Sequence, residues 1–153
     1  MKDDQVLLAM KTKKIGKGCW NGYGGGIEDG ETPEDSLVRE FAEEAKVTIA
    51  PESIVKVAVI DFHNTKTDGT IFVCKVHIYF VNQWEGKPQA TDTMVTPTWF
   101  SKDRLPLDKM MPADKEWLPV VLSGQKILAE AHYTPFQQSL LKGVQIQCTD
   151  LFT

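Results

Sequence analysis

The chain predicts an α/β fold of the α+β kind, a mixed sheet with flanking helices, built as one domain over residues 1–153. Three observations predict it. A strong helix start stands at Thr32-Pro33-Glu34-Asp35, and strand-like runs rich in β-branched residues follow it. Helical and strand patterns then alternate irregularly, as a mixed sheet covered by helices requires. Finally, 153 residues with 42% hydrophobic and 25% charged content are enough for one proper core.

The elements follow in chain order. Residues 5–10 form a short apolar strand, and the basic stretch 11–17 (Lys11, Lys13, Lys14, Lys17) reads as a solvated loop. A weaker reading gives one of these lysines a substrate phosphate. Thr32 caps free backbone N–H groups, Pro33 suits the first helical position, and Asp35 completes a capping box. Residues 33–45 then run without Gly or a second Pro. Residues 54–60 and 71–81 read as paired strands joined by the turn Lys66-Thr67-Asp68-Gly69, and 96–100 adds a short strand. Residues 112–128 show helical spacing through Trp117, Val120, Val121 and Ile127, interrupted at Ser123-Gly124. Residues 129–136 and 141–147 read as a terminal hairpin.

The helix at 33–45 carries chemistry. At about 100° per residue, Glu40, Glu43 and Glu44 fall within an arc of roughly 100°. Leu37, Val38, Phe41, Ala42 and Ala45 cover the adjoining, core-facing arc. Like charges three and four residues apart repel, and a bound cation offsets that cost. Mg²⁺ takes hard oxygen ligands, usually a few carboxylates together with substrate phosphates. Arg39 stands beside the cluster and can brace Glu31 through a bidentate pair. A solvated acidic face is the commoner reading of Glu-x-x-Glu-Glu by itself. The Gly run, Glu31 and Arg39 at their spacings set it aside.

The segment resembles the Nudix box, Gly-x5-Glu-x7-Arg-Glu-U-x-Glu-Glu-x-Gly-U, where U is bulky and apolar. Gly25, Glu31, Arg39, Glu40, Phe41, Glu43, Glu44 and Val47 fill their places, and Lys46 replaces the last Gly. That Gly usually closes the helix in a left-handed cap, which Lys adopts at some cost. The resemblance implies an α/β/α sandwich with a mixed central sheet and flanking helices. It also implies a further strand ahead of residue 5, for which Met1-Lys2-Asp3-Asp4 leave almost no room. Either the true start lies upstream or a sheet edge stays open to a second chain.

The likeness extends beyond the box. Trp20-Asn21-Gly22-Tyr23-Gly24-Gly25, Trp99-Phe100 and Met111-Pro112-Ala113-Asp114-x-x-Trp117-x-Pro119 are similar to the MutT-type oxidised-purine triphosphate diphosphatases. The implied reaction is Mg²⁺-dependent (or Mn²⁺-dependent) hydrolysis of a purine nucleoside triphosphate to monophosphate and pyrophosphate, a nucleotide-pool sanitation role. Glu40, Glu43 and Glu44 would hold the metal with the Gly24 or Gly25 carbonyl, and Glu44 or another glutamate would act as general base. Asn21 and Asp114 would orient the base, while Trp99 is structural. Ala113 stands where those relatives carry a first aspartate, and Met111 where they carry an aromatic, so broader purine specificity is a live alternative. Tyr23 either lines the base pocket or wedges the turn. Trp20 and Trp117 suit packing better than stacking, although Trp117 lies close to Asp114. Asp92 is the one acidic candidate for a further metal ligand from its loop, and a surface role suits it as well.

Competing readings are a pyrophosphatase for another nucleoside diphosphate derivative, such as ADP-ribose or a dinucleotide polyphosphate, and a non-catalytic nucleotide-binding module. A net charge of −4 disfavours a nucleic-acid polymer as partner. No apolar run approaches a membrane span and the N-terminus is no signal peptide. Cys19, Cys74 and Cys148 lack paired spacing and read as reduced thiols of a cytoplasmic protein, monomeric or weakly dimeric. His63, His77 and His132 show no ligand spacing and receive no role.

Overall fold

The computed structural model describes residues 1–152. Its strands are β1 (Gln5–Lys11), β2 (Trp20–Asn21), β3 (Thr48–Ile49), β4 (Ile54–Thr65), β5 (Ile71–Val81), β6 (Trp84–Glu85), β7 (Met94–Ser101), β8 (Lys126–Tyr133) and β9 (Gln145–Thr149). The helices are α1 (Pro33–Glu44) and α2 (Asp114–Leu122). This is the mixed α+β class that the alternation of patterns predicts. The residues gather into two compact units, one holding Met1–Val55 with Phe80–Lys109, the other Lys56–Tyr79 with the chain from Met110 onward.

In the first unit β1 lies between β2 and β7, antiparallel to both, with Val6 opposite Phe100 and Met10 opposite Trp20. β1 is therefore internal to this sheet. Its Leu8 and Ala9 are buried. Trp20, expected to pack, meets Phe100 edge-on at 5.0 Å, and Trp99, expected to be structural, stacks on Trp84 at 5.6 Å. α1 begins as read, with Thr32 and Asp35 exchanging both bonds of the capping box. It ends at Glu44, and Lys46 turns the chain at φ 59° before β3, which pairs with β6. The left-handed turn inferred for the Gly position of the box thus survives its replacement by Lys.

The apolar stripe of α1 departs from helical arithmetic. Ala42 is exposed, whereas Ser36 is the buried residue of the helix. The Ser36 hydroxyl donates to the Gly26 carbonyl at 3.2 Å, so that side chain is spent on tying the helix to the Gly-rich loop.

In the second unit the strand order is β5-β4-β8-β9, with β4 parallel to β8 and β8 antiparallel to β9. Parallel neighbours need a crossover, and α2 supplies part of it, packing on β8. Helical spacing through residue 128 is overturned: α2 stops at Leu122 and β8 begins at Lys126. Gly124, at φ 100°, ends the helix. From there burial alternates with period two, Ile127, Ala129, Ala131 and Tyr133 inward, and a two-residue period cannot be served by a helix. The terminal hairpin shifts accordingly to β8 and β9, with a 3₁₀ turn at Pro135–Gln137 between them. No helix among the described residues is long and apolar enough to cross a membrane. The three cysteines are unpaired.

Candidate active site

The box residues converge within the first unit. Arg39 makes the expected bidentate pair with Glu31, its Nε donating to Oε1 at 2.6 Å and its Nη2 to Oε2 at 3.0 Å. A fork of this kind fixes both carboxylate and guanidinium planes. The same guanidinium donates to Glu40 Oε1 at 2.9 Å, to Glu43 Oε2 at 3.4 Å and to the Gly26 carbonyl at 2.9 Å. Glu31 Oε2 also accepts the Glu28 N–H at 2.8 Å. Those bonds, from Arg39 first and then from Glu28, hold the Glu31 carboxyl down at about 2. One arginine thereby gathers three glutamates and pins the Gly-rich loop to α1.

The glutamates differ in surroundings. Glu40 is mostly covered, with 14% of its side chain exposed, while Glu43 is 60% exposed. Gly25 runs directly against Glu40: a Cβ there would sit 2.1 Å from Oε1. Only a residue without a side chain leaves room for that carboxylate. Glu44 Oε2 accepts the Gly24 N–H at 3.1 Å. Burial pushes the Glu44 carboxyl up, the Gly24 bond and the charge of Lys11 oppose this, and Glu40 and Glu43 add to it. Lys11 of the basic stretch thus lies near enough for its charge to act on Glu44. The Thr91 hydroxyl donates to the Glu44 carbonyl at 3.0 Å, tying down the last turn of α1.

Tyr23 packs its ring on Phe41, centroids 4.9 Å apart, beneath the Gly run. Its hydroxyl is buried with no hydrogen-bond partner among the described residues, and burial followed by the Glu44 charge pushes its pKa up to about 12. The half-buried Asn21 donates to the Cys19 carbonyl at 3.4 Å. Asp92 is highly exposed and its carboxylate pairs with Lys13 at 3.6 Å, which is the surface role.

The second unit holds the other expected substrate residues. Asp114 opens α2, and burial pushes its carboxyl up to about 6 even though Trp117 Nε1 donates to Oδ1 at 3.1 Å. Trp117 is buried, a packing residue that also orients Asp114. Met111 is half-buried. Ala113 is fully buried and its N–H donates to the Tyr133 hydroxyl at 2.9 Å. Tyr133 escaped the sequence reading, because twenty residues and a change of element separate it from Ala113.

The fold and this carboxylate site define a class. The family profile described as the NUDIX domain matches residues 1–121, and the chain belongs to the Nudix family of hydrolases. Among its relatives, the oxidized purine nucleoside triphosphate hydrolase of Danio rerio is 35% identical over 133 residues, covering 87% of this chain and 80% of that protein. The mouse (Mus musculus) oxidized purine nucleoside triphosphate hydrolase is 31% identical over 152 residues, covering 99% and 92%. The crystal structure of a MutT protein from Bacillus halodurans superposes with a TM-score of 0.77 at 26% identity, covering 96% of this chain and 92% of that one.

Proposed function

We propose that this hydrolase cleaves purine nucleoside triphosphates, oxidised ones among them, to the nucleoside monophosphate and pyrophosphate, with Mg²⁺ or Mn²⁺ as cofactor. The observation that carries the proposal is the gathering of Glu40 and Glu43 by one arginine, with Glu44 held by the Gly24 N–H, against a loop that only Gly25 allows to approach. The likeness to two oxidized purine nucleoside triphosphate hydrolases supports the substrate class.

The donor set fits a hard divalent cation: three carboxylates and the loop carbonyls at Gly24 and Gly25 are all oxygen ligands. When bound, such an ion neutralises phosphate charge and acidifies the attacking water. Glu44 is the residue to take the proton of that water, on Oε1, since Oε2 is held by the Gly24 N–H. Arg39 positions the cluster through Glu31 and stays engaged with it. Asp114, with its orientation set by Trp117, reads the purine edge as either donor or acceptor, because its carboxyl exchanges its proton near pH 6. Asn21 supplies a further base contact, Met111 a flexible apolar one, and Tyr23 wedges the turn on Phe41. The chain acts as a single cytoplasmic domain in nucleotide-pool sanitation.

The test is pyrophosphate release from 8-oxo-dGTP, 2-oxo-dATP, dGTP and dATP, with Mg²⁺ and with EDTA, alongside monophosphate release from ADP-ribose. Mg²⁺-dependent pyrophosphate release led by an oxidised purine is the expected result. Equal rates across the triphosphates would refute selective readout by Asp114. Turnover of ADP-ribose above all triphosphates would refute the substrate class.

A further inference from the structure

The two histidines that no local spacing connects, His63 and His132, stand directly opposite each other in the parallel β4–β8 register. Their rings stack at 4.2 Å, only 13° from parallel. Glu130 precedes His132 by two residues on β8 and so shares its face of the sheet, the less buried one. Glu130 Oε2 lies 4.0 Å from His63 Nε2 and 3.7 Å from His132 Nε2. These separations are too long for hydrogen bonds. Both Nε2 atoms are buried and have no hydrogen-bond partner among the described residues. Asp61, also on this face, is already engaged by Lys75 at 2.9 Å.

A stacked imidazole pair with both inner nitrogens desolvated and unpartnered costs stability. Neutral rings offer lone pairs, and a shared cation would satisfy both of them and the carboxylate together. We propose that His63, Glu130 and His132 form a metal site, contained in the second unit, for a borderline divalent cation such as Zn²⁺.

The geometry suits it. One ligand atom from each residue lies within 4.8 Å of the others. Bonds of about 2.0–2.2 Å in tetrahedral arrangement place ligand atoms about 3.3–3.6 Å apart, close to the separations of Glu130 from the two rings, and the exposed Glu130 side chain has room to swing in and close the set. Two imidazoles and one carboxylate select zinc-like ions over Mg²⁺, which wants oxygen ligands and more of them. Three protein ligands leave a fourth position to water, and the bound ion would staple β4 to β8.

The test uses the full-length, chelator-treated protein in excess Mg²⁺. It is titrated with Zn²⁺ by calorimetry and with Co²⁺ by visible absorption, both in wild type and in a Glu43→Gln/Glu44→Gln background that disables the box. The expected result is one equivalent bound in both backgrounds. Affinity should be lost at least about 10-fold in His63→Asn, His132→Asn and Glu130→Gln. Ring NMR signals of His63 and His132 should shift with Zn²⁺ in the unmutated protein, a readout that does not depend on any variant folding. Zn²⁺ binding unchanged in the His63→Asn/His132→Asn variant would overturn the proposal. So would binding that vanishes with the box substitutions, or ring signals that ignore the metal. None of these readouts involves hydrolysis, so the site stands or falls independently of the proposed reaction.

Discussion

Gly25→Ala isolates the contact between loop and helix on which the candidate active site depends. The added Cβ would lie 2.1 Å from Glu40 Oε1, 2.4 Å from Cδ and 2.7 Å from Oε2, all far inside van der Waals contact. The Glu40 carboxylate must retreat by at least about 1 Å, abandoning the 2.9 Å bond from Arg39. Displacements of about 1 Å in a positioned group cost on the order of 100-fold in rate, or about 2.7 kcal/mol of transition-state stabilisation. Stability should change far less. Gly25 is not among the residues with positive φ, and the group it meets is the far end of a flexible side chain. Steady-state pyrophosphate release against Mg²⁺ concentration, with a thermal melt in parallel, reads both quantities. The expected result is kcat/KM down about 100-fold, a higher Mg²⁺ requirement and a melting temperature within about 3 °C of wild type. Gly26→Ala is the matched control, because a Cβ there meets nothing within 4 Å. A Gly25→Ala enzyme no slower than Gly26→Ala would refute the reasoning.

Three further outcomes follow from particular residues. Arg39→Lys keeps the charge but not the fork on Glu31, so kcat should fall at least about 10-fold while KM moves little; undiminished kcat would contradict the bracing role. Burial raises the Asp114 carboxyl from 3.8 to about 6, so the folded state holds its proton longer than the unfolded state does. Its contribution to stability is complete below 3.8 and lost as pH rises through about 6. Wild type should therefore lose up to about 3 kcal/mol relative to Asp114→Asn between pH 3.5 and pH 7.5 in denaturant titrations, and parallel pH profiles would exclude this. Lys46→Gly removes a side chain from φ 59° and should stabilise the fold by about 1 kcal/mol with kcat unchanged; a lower melting temperature would contradict that.

Legibility from sequence tracked the range of each interaction. The capping box, the Arg39–Glu31 pair and the left-handed turn at Lys46 are each set within eight residues of chain, and spacing suffices for all three. Trp117 and Asp114, three apart on one helix, were recognised as neighbours for the same reason. Ser36 was missed because helical arithmetic ranks residues by apolarity and does not foresee a hydroxyl buried against a loop carbonyl. The strand at Lys126–Tyr133 is partly absorbed into a helix by spacing alone because Ile127 falls seven residues after Val120, two helical turns on. Gly124 and the alternation after it were the better signal. His63 and His132 meet only through a parallel pairing of distant strands, which no local pattern encodes.

The carboxylate cluster is tested most directly by pyrophosphate release from 8-oxo-dGTP in the Glu43→Gln/Glu44→Gln enzyme, measured with Mg²⁺ beside wild type. Each substitution keeps the shape of the side chain and removes its charge and its basicity. The cluster as described predicts turnover lower by at least about 100-fold in a protein that melts normally. Turnover within a few-fold of wild type would mean that the hydrolytic centre lies elsewhere in this chain.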